Sequence, residues 1–471
     1  MNRVTTGNVS LDLILAGGFP ENSINILMGL PGTGKTILAE KVIFSNAASD
    51  RPALYLSTVS EPLDKMLRYL QEFDHFDPEK VGESVFYHDM SDVLREGGLQ
   101  TFAEQVIELV KEHDPAFLVI DSFKALHAFS VSEAEFRKTL TYLMTSLSSL
   151  AITSFLVGEY SSDEVASLPE FAVADGVMEL VLNKVGVKDA RYLRIIKSRG
   201  SDFLSGEHAF KISASGIDVF PRLQTPPTAI SYELVNKRFK TGVEVLDSMV
   251  ADGFWKGAST VVFGPPGCGK TLLGLHFIFK GIEMGEKGLI ATMQENPTQL
   301  HRIVSGFGWD LQEAIDSGML ELFYTSSVDV YIDEFVSQVD VRATSSGAQR
   351  ILIDSLNDLE ASAPSAARFR DYMYSFVQAM AARGVSLFMT SEVKDLFQSS
   401  IQTEFGISHM SDNVVLMHYL RQKSEIARAI SIIKSRGSRH DPGIRRFEIT
   451  SRGLSVGDRF EHWDAPYCHG E

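Results

Sequence analysis

Eight residues constrain this chain more than anything else in it, because they occur twice. Gly29-Leu30-Pro31-Gly32-Thr33-Gly34-Lys35-Thr36 and Gly264-Pro265-Pro266-Gly267-Cys268-Gly269-Lys270-Thr271 both read GxxxxGK[ST], and the offset of 235 residues is half of a 471-residue chain. Each follows an apolar run, Ile24 to Met28 and Ser259 to Phe263, and leads into apolar positions that suit a helix. Strand, glycine loop and helix in that order form a cradle whose backbone N–H groups take up phosphate oxygens. Gly32, Thr33 and Gly34, with Gly267, Cys268 and Gly269, would wrap the phosphates. Lys35 and Lys270 would reach the β- and γ-phosphates in binding and catalysis, and the Thr36 and Thr271 hydroxyls would hold Mg²⁺. An incidental glycine turn is the competing reading, and two copies in the same context make it weak.

The repeat runs through the rest of the chain. A short helix between turns opens each half, at Thr5 to Gly18 and at Lys240 to Gly253. After each loop come apolar runs without alternation: Ala53 to Ser57 and Gly288 to Met293, Phe117 to Ser122 and Arg350 to Ser355, Ser154 to Glu159 and Ser386 to Glu392. Such runs suit strands buried on both faces of a parallel sheet. Gly176 to Leu182 and Asn413 to Leu416 are expected at the sheet's far edge, with helices such as Phe102 to Val110 and Tyr372 to Ala382 between strands. This alternation predicts a doubly wound α/β fold, twice over. The expected domains are 1–225 and 226–460, joined near Pro221-Arg222-Leu223-Gln224-Thr225-Pro226-Pro227-Thr228, with 461–471 as an exposed tail.

Composition narrows the class. The net charge is −17, from 61 acidic against 44 basic residues, a field that repels nucleic-acid backbones and anionic membranes. The two cysteines, Cys268 and Cys468, suit a reducing compartment, since one lies inside a phosphate loop. No secretion signal is expected, because Asp12 and Gly17-Gly18 interrupt the first apolar stretch, and no run reaches the roughly 18 residues of a membrane span. A cytoplasmic protein is the expectation.

Three further motifs carry chemistry. Asp121 and Asp354 each close a buried strand, where a carboxylate reaches the metal shell of a phosphate-loop site. Glu61 and Glu295 follow the second core strand just ahead of Pro62 and Pro297, and are candidates to orient or deprotonate an attacking water. The strings Lys197-Ser198-Arg199-Gly200-Ser201 and Lys434-Ser435-Arg436-Gly437-Ser438 end a strand in two cations. Cations of this kind can neutralise γ-phosphate charge when a neighbouring subunit supplies them. The competing readings are a helix-capping acid, an exposed acid at a helix start and a solvated basic edge.

Together the two loops, the Asp-Ser strand ends, both K-S-R-G-S strings and the stretch Arg428 to Asp441 resemble the KaiC family of tandem RecA-like ATPases, over nearly the whole chain. The resemblance implies two RecA-like phosphate-loop NTPase domains and a homohexameric double ring with ATP and Mg²⁺ between subunits. It implies that Lys197, Ser198, Arg199 and Ser201, and likewise Lys434, Ser435, Arg436 and Ser438, contact a neighbour's nucleotide. Trp309 resembles a family position near the adenine, where the first half has Phe73-Asp74-His75. The departures are specific. Clock proteins carry two adjacent glutamates after the second strand, whereas this chain has Ser60-Glu61 and Gln294-Glu295. Their autophosphorylated Ser-Thr pair corresponds to Ser408 and His409, which leaves one hydroxyl. Ser408 reads equally as a slow autokinase site and as an ordinary loop serine. The resemblance does not take in the C-terminal extension that binds KaiA, so KaiA is not expected as a partner, whereas a KaiB-like protein is.

Two functions follow from different classes. One is a slow ATPase whose nucleotide state shapes a ring read by partner proteins in a signalling or clock-related switch. The other is a DNA-dependent recombinase or helicase-type motor. The acidic balance and the lack of a basic loop with interleaved aromatics favour the first. A nucleotide-binding scaffold without turnover is a third, more modest reading.

Overall fold

The computed structural model describes residues 2–58, 63–185, 188–223, 236–393, 410–422 and 425–460. Glu61, the linker residues Gln224 to Thr228, Ser408, His409 and the tail from Glu461 lie outside the described residues. The chain divides into two compact units, Met1–Arg222 and Leu223–Glu471.

The first unit opens with β1 (Arg3–Val4) paired to β2 (Phe19–Pro20) around the helix Val9–Ile14, whose first turn is capped by the Asn8 side chain. Then come β3 (Ile24–Met28), β4 (Ala53–Ser57), β5 (Val85–Asp89), β6 (Phe117–Asp121), β7 (Thr153–Gly158), β8 (Gly176–Val185), β9 (Lys188–Ser198), β10 (His208–Ser213) and β11 (Gly216–Phe220). They form one nine-stranded sheet in the order β11-β10-β9-β8-β3-β7-β6-β4-β5. From β8 to β5 the strands are parallel, and β9, β10 and β11 add antiparallel. Every residue of β3, β4, β6 and β7 is buried, because helices cover both faces. Leu38, Val42 and Ile43 of the helix Lys35–Asn46 pack with Leu27, Val119 and Phe155 on one face. Phe102, Val106 and Leu140 of the helices Ser91–His113 and Glu133–Ser149 pack with Ile26, Leu54 and Ile120 on the other.

The second unit repeats this. It has β12 (Arg238–Phe239), β13 (Phe254–Trp255), β14 (Ser259–Gly264), β15 (Gly288–Thr292), β16 (Leu320–Tyr324), β17 (Arg350–Asp354), β18 (Ser386–Glu392), β19 (Asn413–Gln422), β20 (Glu425–Ser435), β21 (Arg445–Thr450) and β22 (Gly453–Arg459). The sheet order is β16-β15-β17-β18-β14-β19-β20-β21-β22, again with its last three strands antiparallel. Two mainly parallel sheets flanked by helices match the predicted fold class.

One expectation is corrected. The segments read as the far edge are β8 and β19, and both are interior, bonded on one side to the loop strand and on the other to a long antiparallel partner. Those partners, β9 and β20, end in the Lys-Ser of the repeated basic strings, so the hairpin brings each string back beside the core.

The second unit also buries Arg350, the first residue of β17. Its guanidinium lies 4.5 Å from the ring centroids of both Phe239 and Phe277. It donates to the carbonyls of Lys240 (2.7 Å) and Phe277 (2.6 Å) and to the Glu286 carboxylate, which Lys237 also meets at 2.7 Å. At the corresponding start of β6 the first unit has Phe117, with Arg51 stacked 5.2 Å from its ring. Among the described residues no helix is long and apolar enough to cross a membrane.

Candidate functional site

Each glycine loop joins the end of a central strand to a helix that begins at its lysine, Lys35–Asn46 and Lys270–Glu283. Gly34 (φ 103°) and Gly269 (φ 108°) stand at the N-caps in left-handed backbone, which a side chain would strain, and no side chain caps either helix. The first-turn N–H groups therefore remain available to an anion, at the positive end of the helix dipole.

Both lysines are buried against their own loops. Lys35 Nζ donates to Leu30 O and Lys270 Nζ to Pro265 O, each at 2.9 Å. Burial pulls the Lys35 pKa down, while Glu159 and Asp121 push it back up. The next residue reaches the aspartate predicted for the metal. Thr36 Oγ1 donates to Asp121 Oδ2 at 2.8 Å, and Thr271 Oγ1 to Asp354 Oδ2 at 2.7 Å. Both carboxyls are buried and raised above the usual carboxylate range by desolvation, against the hydrogen bonds they accept. In both units the peptide bond after this aspartate is cis.

A cavity of about 540 Å³ opens beside the first loop. Its lining combines Gly32, Gly34, Lys35, Thr36 and Asp121 with the apolar and aromatic groups Met66, Tyr69, Phe73 and Ile212. That volume and that mixed lining suit a nucleotide. Glu159, just past β7, also lines the cavity, and sequence reasoning passed over it as a strand end. The signal was present, since Glu392 ends the corresponding strand β18.

Glu295, the second unit's candidate for orienting water, is half-buried, and its N–H donates to Thr292 Oγ1 at 3.2 Å. Asn296 then caps the helix Pro297–Gly306, with Pro297 in its first turn. Gln294, the residue before Glu295, donates to Ser355 Oγ (3.2 Å) and Asp358 (2.8 Å). Trp309 packs flat on Phe279, with ring planes 4° apart, and edge-on to His276. His75 takes the matching place, stacked on Phe73 and tilted against Phe44.

The basic strings stay close to their own backbone. Lys197 Nζ donates to Phe171 O (3.0 Å) and Ala172 O (3.4 Å), and Arg199 Nη2 to Ala172 O (3.0 Å), with Asp175 3.5 Å away. In the second unit Lys434 Nζ donates to Ser411 O at 2.6 Å, and Arg436 stands 4.0 Å from Asp412. Ser435 donates to Asn413 Oδ1 at 2.9 Å, Ser438 accepts from Arg238 at 2.8 Å, and Ser198 closes β9. The Ser201 hydroxyl is buried without a partner in the described residues. Neither Lys197 nor Arg199 lines the cavity beside its own loop.

Sequence reasoning also missed what steadies each aspartate. Asp121 accepts from the Tyr55 hydroxyl of β4 at 2.9 Å, whereas Asp354 accepts from the Thr390 hydroxyl of β18. The register places Ile290 where Tyr55 would be and Val157 where Thr390 would be. The donor has changed sides of the strand, so no repeated residue marked it.

Comparison with known proteins agrees with this duplicated geometry. A family model described as "ATPase: KaiC" matches residues 4–224 and again 239–461. The circadian clock oscillator protein KaiC of Picosynechococcus sp. is 27% identical over 476 residues, covering 98% of this chain and 91% of the relative. KaiC 1 of Synechocystis sp. is 26% identical with the same coverage, and KaiC of Thermosynechococcus vestitus is 26% identical over 98% of this chain and 90% of its own. With two loops, two threonine–aspartate pairs and two family matches in one polypeptide, the chain belongs to the KaiC family of ATPases, with its ATPase domain duplicated.

Proposed function

We propose that both units bind Mg-ATP and hydrolyse it slowly, and that a homohexameric ring built on these sites serves as a nucleotide-dependent switch. The observation that supports this best is the repeated threonine–aspartate pair, 2.8 Å and 2.7 Å, set one residue beyond a buried loop lysine. Thr36 with Asp121, and Thr271 with Asp354, would hold Mg²⁺, the first through its hydroxyl and the second mainly through water. The donor set is all oxygen, as this hard cation requires. Bound ATP supplies the scissile phosphoryl group, and Mg²⁺ neutralises its oxygens.

The chain's own residues do the rest. Lys35 and Lys270 leave their loop carbonyls for the β- and γ-phosphates, and the loop N–H groups of Gly32 to Gly34 and Gly267 to Gly269 fix them. Glu61 and Glu295 orient the attacking water and take its proton. Trp309 would lie near the adenine. Lys197 and Arg199, with Lys434 and Arg436, leave the carbonyls they occupy and serve the site of a neighbouring subunit, so nucleotide holds the ring together. A KaiB-like protein is the partner we expect to read the ring. Ser408 is its one candidate autophosphorylation site, and the ATPase domains run over 1–225 and 226–460.

Two measurements test this. Native mass should show a hexamer with Mg-ATP and smaller species without it, and ATPase rate should be indifferent to single-stranded DNA. A species that stays monomeric at saturating Mg-ATP overturns the ring, and strong stimulation by DNA replaces the switch with a motor. Phosphopeptide mapping after long incubation with ATP decides Ser408.

A further inference from the structure

The first unit contains a buried carboxyl that the proposed reaction does not use. Glu40 lies one helical turn after Thr36, four residues on and therefore on the same helix face, and it is fully buried. Its Oε2 accepts the Tyr87 hydroxyl at 2.9 Å, and its Oε1 has no partner in the described residues. The Tyr87 ring meets the Tyr55 ring 5.2 Å away across the β4–β5 pair. Tyr55 in turn donates to Asp121 Oδ2, the oxygen that also accepts the Thr36 hydroxyl. The side chains thus run from the loop helix through β5 and β4 to β6 and back to the helix.

The second unit shows that the fold does not need this arrangement. Leu275 stands four residues after Thr271, and Ile290 and Leu322 are paired across β15 and β16 as Tyr55 and Tyr87 are across β4 and β5. All three are apolar, and Thr390 supplies the donor to Asp354 from the other side. A buried carboxyl is costly where leucine would serve. Burial pushes Glu40 up to about 8, with the Tyr87 hydrogen bond opposing and the Asp121 charge adding to the rise. The ionisable groups acting on it are Tyr87 of β5, Tyr55 of β4 and Asp121 of β6. From β3 and β7 the same core takes Leu27 and Val157, while Asp218 of β11 acts on Lys41, whose Nζ donates to Ser215 O.

We propose that Glu40 is a positioning residue of the first site, holding the metal aspartate Asp121 in place through Tyr87 and Tyr55, the task that Thr390 performs for Asp354. This rests on the reading of Asp121 as a magnesium group. Partners one step behind a metal ligand typically change metal affinity about 10–100-fold when removed. The test is Mg²⁺-dependent binding of a fluorescent ADP analogue, in a Lys270→Ala background so that the first site alone reports. Tyr55→Phe should weaken Mg²⁺ about tenfold and Glu40→Leu about three- to tenfold. Adding Val157→Thr, the donor used by the second unit, to Glu40→Leu should restore most of the loss. Between about pH 7 and about pH 9 the parent should gain Mg²⁺ affinity as Glu40 ionises, and Glu40→Gln should not. Should Glu40→Leu fail to fold, Glu40→Gln keeps the shape and its pH profile decides. A folded Glu40→Leu within twofold of its parent, or parallel pH profiles for the parent and Glu40→Gln, overturns the inference. Asp121→Asn separates the two layers. If it leaves Mg²⁺ affinity unchanged, the metal reading falls and takes this inference with it; if it abolishes Mg²⁺ binding while the Glu40 variants stay silent, only this inference falls.

Discussion

The two units share a sheet order, a loop, a lysine, a threonine and an aspartate, and differ in what stands behind them. In the first, the space between the loop helix and the sheet holds Glu40, Tyr55 and Tyr87; in the second it holds Leu275, Ile290 and Leu322. The loop, lysine, threonine and aspartate are repeated, whereas the groups packed behind them have diverged. A duplicated domain can thus keep one chemistry at both sites and still set each site's response to pH and metal separately. The basic strings fit the same pattern, since Lys197 and Lys434 both rest on backbone carbonyls while their neighbouring contacts differ.

The sharpest way to break the comparison is to remove one site at a time. Lys35→Ala with Lys270→Ala should abolish ATP turnover, and each single change should leave the other site working. The ratio of the two single-variant rates then measures how unequal the units are. Unchanged turnover in the double variant would end the assignment of both loops.

Stability gives the next largest contrast. Arg350→Ala leaves Glu286 in the core of the second unit with Lys237 alone to balance it, and since losing a buried partner costs about 3–5 kcal/mol when nothing replaces it, the loss here should lie near the lower end, about 3 kcal/mol. Calorimetry or hydrogen exchange should locate that loss in the second unit and leave the first unchanged.

A rise in pH from about 4.5 to about 8 should act on the other unit. Glu40 is raised from its ordinary range to about 8, so the folded state holds a proton that the unfolded chain has released. Its contribution is full below the unfolded pKa and is lost as pH rises toward 8, on the order of a few kcal/mol in all. Glu40→Gln should flatten this slope in the first unit, and a slope that persists would assign it elsewhere. Acid should affect both units, because burial lowers His75 and His276 to about 4. Each must take up a proton on unfolding, so stability should fall as pH drops from about 6.5 toward 4. His276 accepts the Leu454 N–H at 2.8 Å, and protonation at that nitrogen would break the bond.

The smallest expected effect is the subtlest. Thr390→Val should weaken Mg²⁺ at the second site about tenfold, and titration of the Lys35→Ala protein would report it. No change would mean that Asp354 needs no donor from β18.

Much of this was legible in the sequence because duplication marks what both sites need. The loops, Asp121 with Asp354, and the succession of buried strands along the chain all follow from runs that occur twice. What the repeat could not mark was anything held by one copy. Glu40 sits in Ile37-Leu38-Ala39-Glu40 and reads as the polar side of an amphipathic helix, and only the packing of that helix on the sheet buries it. Tyr55 looks like an ordinary strand aromatic until the register sets its hydroxyl against Asp121. The interior position of β8 and β19 was hidden for a related reason. An apolar run reports burial and says nothing about which strand lies beyond it.

Arg350 has a practical consequence for anyone wishing to study the second ATPase alone. Its guanidinium spends one donor on the carbonyl of Lys240, in the chain just after β12, and Lys237 neutralises the same glutamate from that segment. A fragment begun at the first residue of the glycine-loop strand would lose the carbonyl, the lysine and the Phe239 ring together, leaving a charge beneath the sheet with only part of its shell. The smallest autonomous piece of this half therefore starts before Lys237, well upstream of the nucleotide motif that defines it.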